Sequence, residues 1–148
     1  MNKIKILLPV ILLIGLEVII FITNFQKGTY LIGWDNLMPE FDLALNFKRA
    51  LFSVWQGYRG LGFLDGLSNA ATLTHTFYIW LLSLVLPENL LRYVFTHITH
   101  LLGGIGFFFL AKKLTKNHIA SFIGALFYML NLGVIQQFYA PLEAFAIH

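Results

Sequence analysis

Three stretches of this chain are too long and too apolar to be covered by water. Residues 6–22 carry a single charge, Glu17; residues 90–111 carry one, Arg92; residues 119–140 carry none. Crossing the hydrocarbon core of a bilayer takes about 20 such residues. Composition closes the alternatives. Charged residues make up only 11% of the 148 positions, against roughly 25% in an average soluble domain. Ten Lys+Arg and seven Asp+Glu cannot cover a soluble globule of this length, and 58% hydrophobic residues exclude a disordered chain. The runs are continuous rather than alternating, which argues against a membrane β-barrel. The expectation is an all-α, polytopic membrane protein. There is no cysteine, so disulfides, thiolate catalysis and Cys-ligated metals are excluded.

The first run follows Lys3 and Lys5 and extends to about residue 25. No small-residue cleavage site follows it, and it is long for a signal-peptide core, so it reads as an uncleaved anchor. Glu17 is the odd residue. In hydrocarbon its carboxylate is costly, so it is expected to face other helices or to be protonated.

Residues 26–89 form an outer segment rich in polar residues. Within it, 39–56 reads as one amphipathic helix, with Pro39 at its first position. Asp42, Asn46, Arg49, Ser53 and Gln56 form its polar stripe, and Phe41, Leu45, Phe52 and Trp55 an apolar one. Such a helix lies on a membrane or roofs a bundle. Gly57 ends it, and Gly60, Gly62 and Gly66 suggest a flexible stretch. Residues 73–86 are apolar but short for a crossing, which is typical of interfacial pieces.

Two topologies follow. If 73–86 crosses, there are four spans, and the loop with Lys112, Lys113 and Lys116 lies opposite Lys3 and Lys5. If it stays at the interface, there are three spans (about 6–25, 90–111 and 119–140), and all five lysines share one side. The positive-inside rule favours three. The amino terminus is then cytoplasmic and 26–89 outside.

Several residues could carry chemistry. Asp35 sits in Gly33-Trp34-Asp35-Asn36, just beyond the first span. A carboxylate there can act as general base or metal ligand, or be a solvated loop residue beside an interfacial Trp. Arg92, Thr96, Thr99 or His100, and Gly103 share one face of the second span. Arg92 could pair with a phosphate or snorkel to the headgroups. His97 and His100, three residues apart, could hold a metal, but a third ligand is not evident. Trp55, Tyr58, Phe63, His75, Tyr78 and Trp80 crowd the outer segment. Aromatics stack on sugars, Trp55 and Tyr58 being the candidates, but they also populate every membrane interface. Gly103, Gly104 and Gly106 suit helix packing, as do Ala120 and Gly124. The basic residues form no patch for nucleic acid.

The order of parts resembles the amino-terminal part of the GT-C superfamily of membrane glycosyltransferases. It runs from cytoplasmic lysines through a first span, the Gly-Trp-Asp-Asn loop, amphipathic juxtamembrane helices, an Arg-led span and a basic loop to a small-residue-rich span. The stretch from Gly33 to Gly66 looks closest to large bacterial membrane proteins related to the arabinofuranosyltransferase branch. The resemblance implies transfer of a sugar from a polyprenyl-phosphate donor to a cell-envelope acceptor, on the outer face of the cytoplasmic membrane. It implies Asp35 as the catalytic residue, Arg92 and Glu143 near the donor phosphate, and a divalent cation held by Asp35 and Glu143. Glu143 stands where many relatives have Asp. The family has many more spans and a soluble domain, so the expectation is a fragment of a larger fold, inactive without the remainder of the full-length protein. The competing expectation is a non-catalytic membrane component, such as a transporter part or assembly partner, with Glu17, Arg92, His97 and His100 lining a path or a helix interface.

Overall fold

The computed structural model describes residues 4–31, 39–52, 55–57, 61–64 and 72–135. It is almost entirely helical. The chain divides into two compact units, one of Met1–Asn36 with Thr96–His148 and the other of Leu37–Phe95.

In the first unit, α1 (Ile4–Asn24) and α4 (Glu88–Thr115, whose opening turns belong to the second unit) are, among the described residues, the two helices long and apolar enough to cross a membrane. At 28 residues, α4 is about 42 Å long. Its end is closed by Lys116 in the left-handed region, at φ 55°, with the Lys116 amide donating to the Lys112 carbonyl at 3.0 Å. Asn117 then caps α5 (His118–Leu130) by accepting from the amides of Ile119 at 2.9 Å and Ala120 at 3.2 Å. Asn131 takes an extended backbone and ends α5 after 13 residues. Its side chain accepts from the Val134 amide at 3.1 Å, starting the single turn α6 (Leu132–Ile135). The third expected span is therefore a shorter helix and a break, where a cap residue competes with helix continuation; 136–140 lie outside the described residues.

The core of this unit is Leu13, Phe108, Ala125 and Met129. α4 and α5 meet through glycines. A Cβ at Gly103 would lie 2.8 Å from the Tyr128 hydroxyl, one at Gly124 2.8 Å from the Phe107 ring, and one at Gly104 would run into the Met129 thioether. Gly106 faces open space and Ala120 is exposed, so these two do not serve the packing expected of them. Outside the core the polarity is reversed. Leu7, Leu8, Ile11, Val18, Ile19 and Ile22 of α1 are exposed, whereas Glu17 is only 5% exposed. An apolar exterior around a polar interior is the pattern a lipid solvent selects.

In the second unit, the expected helix 39–56 is broken at both ends. A 3-10 turn (Pro39–Phe41) precedes α2 (Leu43–Phe52). Asp42 caps α2, its Oδ1 accepting from the Leu45 amide at 2.9 Å. A cap of this kind satisfies an otherwise orphaned N–H and sets the start of the helix. Trp55–Gln56 (β1) pairs antiparallel with Phe63–Leu64 (β2). Gly62, at φ +99°, lies against the Trp55 indole where any Cβ would collide with the ring. Part of the expected flexible stretch is thus a hairpin. The apolar stripe of Phe41, Leu45, Phe52 and Trp55 is exposed. The segment 73–86 forms α3 (Leu73–Ser83), 11 residues or about 16 Å, too short to cross. Ile79, Leu91, Tyr93 and Phe95 are buried in this unit.

Candidate functional site

Among the described residues, each unit buries a cluster of titratable side chains. In the first, Glu17 of α1 meets two imidazoles of α4. His97 Nδ1 lies 2.6 Å from Glu17 Oε1, and His100 Nδ1 lies 2.6 Å from Glu17 Oε2. The i, i+3 spacing of the histidines puts both on one helical face. His100 Nε2 reaches the Met129 carbonyl of α5 at 3.1 Å. All three side chains are buried, and the Phe21 and His97 rings meet edge to face, with centres 5.0 Å apart. Glu17 faces other helices, as its cost in hydrocarbon demands. Among the described residues no group of three or more His, Asp or Glu is arranged to hold a metal.

In the second unit, Arg92 forms a two-pronged pair with Glu40. Its Nε donates to Oε1 at 2.8 Å and its Nη2 to Oε2 at 3.1 Å. This fork geometry is what guanidinium and carboxylate do best together. Both side chains are almost fully buried. Arg92 therefore does not snorkel, and it is the one buried Lys or Arg among the described residues. His75 is buried beside it, 4.6 Å from the Phe95 ring. Burial first, and the Arg92 charge second, push its pKa down to about 4, so it is a neutral imidazole at pH 7.

Of the residues singled out by the sequence, Asp35, Tyr58 and Glu143 lie outside the described residues. Trp55 is exposed on β1, with its indole against Gly62. Arg92 is paired within the fold. Glu40 follows Asp35 by five positions in the sequence; its partner stands 52 positions away, and no local spacing signals that. Comparison with known protein families, characterised proteins and solved structures finds no match.

Proposed function

We propose that this chain is a membrane glycosyltransferase module of GT-C type, using a polyprenyl-phosphate sugar on the outer face of the cytoplasmic membrane. Asp35 deprotonates the acceptor hydroxyl, and Arg92 balances the charge of the departing donor phosphate. Transfer of this kind needs such a base and such a counter-charge. The observation that carries the reading is the buried Glu40–Arg92 pair. It holds a guanidinium in a fixed orientation near the start of a membrane-length helix. A phosphate bound by Arg92 shares it with Glu40 or displaces Glu40. The exposed Trp55 ring offers a surface for a sugar face.

The test uses the protein in membranes with a labelled polyprenyl-phosphate sugar. Asp35→Asn keeps size and removes the basic oxygen, so transfer should fall roughly 10²–10⁴-fold, with insertion unchanged. Asp65→Asn is the matched control and should cost much less. Wild-type transfer by folded Asp35→Asn would remove the assignment.

A second reading, a non-catalytic membrane component, is favoured by the Glu17–His97–His100 centre. It ties helices together deep in the apolar unit and plays no part in the chemistry above. No transfer from any polyprenyl-phosphate sugar by the intact protein would leave this reading standing.

A further inference from the structure

The hydrogen bonds around His100 fix a proton count. A carbonyl oxygen can only accept, so the contact to Met129 O requires a proton on His100 Nε2. The contact between His100 Nδ1 and Glu17 Oε2 also needs a proton between its two atoms. If that proton sits on Nδ1, His100 is an imidazolium beside a glutamate anion. If it sits on Oε2, Glu17 is a neutral acid donating to a neutral imidazole. Both arrangements hold one proton more than an ionised glutamate beside a neutral histidine. Both leave the Glu17–His100 pair without net charge. His97 meets the other carboxylate oxygen through its Nδ1.

We infer that Glu17 and His100, supported by His97, form a binding site for one exchangeable proton within the α1–α4–α5 unit. The inference rests on neither functional reading above. The elements packed around the site supply its contacts. α1 brings Glu17, α4 brings the two histidines, and α5 brings a backbone carbonyl. The nearby phenol of Tyr128 is stacked on Phe107, with ring centres 5.5 Å apart. The other charged or titratable groups of these helices, Lys5, Glu88, Arg92, Tyr93, Lys112, Lys113 and His118, each stand at least four positions along the chain from the nearest of Glu17, His97, His100 and Met129. In apolar surroundings a neutral pair is far cheaper to bury than a net charge. Loss of the proton leaves one negative charge. It also sets an imidazole lone pair against either the Met129 carbonyl or a Glu17 oxygen. Release of the proton therefore weakens either the α1–α4 or the α4–α5 contact of the site, and the site couples proton binding to helix packing.

The experiment uses the whole protein in bilayers at pH 7, with nitrogen-15 NMR of labelled histidine and infrared detection of the Glu17 carboxyl. The expected result is either doubly protonated His100 with ionised Glu17, or a carboxylic-acid band that vanishes in Glu17→Gln. In both cases Glu17→Gln should lose one bound proton per chain and leave His100 neutral. His97→Gln keeps a donor for Oε1 and should retain the proton. Ionised Glu17 beside a singly protonated His100 in the unaltered protein would overturn the proposal, with no variant needed. Loss of the proton in His97→Gln would overturn its assignment to the Glu17–His100 pair.

Discussion

The two units solve the same problem in opposite ways. The unit built on α1, the body of α4 and α5 turns apolar side chains outward and gathers its carboxylate and imidazoles within. Long helices satisfy their own backbone, so only side chains need partners there. The unit of Leu37–Phe95 is made of short pieces: a 3-10 turn, a ten-residue helix, a two-stranded hairpin and an eleven-residue helix. Short elements leave many helix ends to satisfy: Asp42 caps α2, whereas Thr72, before α3, makes no side-chain cap bond. Its buried ion pair, Glu40–Arg92, joins residues 52 positions apart. The difference teaches that in such a chain polar burial follows two rules. In the long-helix unit it is a carboxylate–imidazole contact that shares one proton. In the short-element unit it is a full ion pair with a neutral histidine alongside.

The most damaging way to break this contrast is to orphan one partner of the ion pair. Arg92→Met leaves Glu40 buried without its counter-charge, and the second unit should lose about 3–5 kcal/mol. Adding Glu40→Leu should recover most of it, because a buried pair and a well-packed apolar pair differ little. Hydrogen exchange at α2 and α3 reads both. An unchanged exchange rate in Arg92→Met would show that the pair does not organise the unit.

Acid is the next largest perturbation, and it should act on the second unit through His75. Its folded pKa of about 4 lies below the unfolded value of about 6.5. Between these values the unfolded chain takes up a proton that the folded unit refuses. Stability is thus fully present above about pH 6.5 and falls as pH drops towards 4, by up to roughly 3 kcal/mol. His75→Phe, which keeps a ring against Phe95, should flatten the slope in a pH series of α3 exchange. The same slope in both proteins would assign the acid sensitivity to another group.

The smaller effects sharpen the packing side of the contrast. Gly104→Ala drives a methyl into the Met129 side chain and should cost about 1–3 kcal/mol, towards the low end because the thioether is flexible. Gly106→Ala on the same helix meets nothing and should stay within about 0.5 kcal/mol of the parent. Unfolding of the protein in mixed detergent compares the two; equal costs would mean that helix propensity, not close approach, decides.

Much of the long-helix unit was legible in the sequence. The run 90–111 grew only to Glu88–Thr115, and the first run matched Ile4–Asn24 closely. Summed hydropathy over about twenty residues is a local property, so reading along the chain captures it. Of the stripe of Arg92, Thr96, Thr99 or His100, and Gly103 read from helical spacing, Arg92 and His100 are buried and Thr96, Thr99 and Gly103 half-buried. Shorter-range decisions were harder. Asp42 and Asn131 each competed with a helix that the periodicity continued through, and a single side-chain cap outweighed the pattern.

Partners were decided by tertiary structure alone. Nothing in the spacing of His97 and His100 tells that Glu17, 80 and 83 positions away, completes the centre. Nor does it tell that Arg92 is committed to Glu40. Read alone, the sequence locates two helices long and apolar enough to cross a membrane and the faces on which they carry polar groups. These follow from composition and period. Which polar groups meet, and hence where protons and charges reside, depends on contacts between remote segments, each chosen because an unpaired polar group in that interior costs more than any local preference can offset.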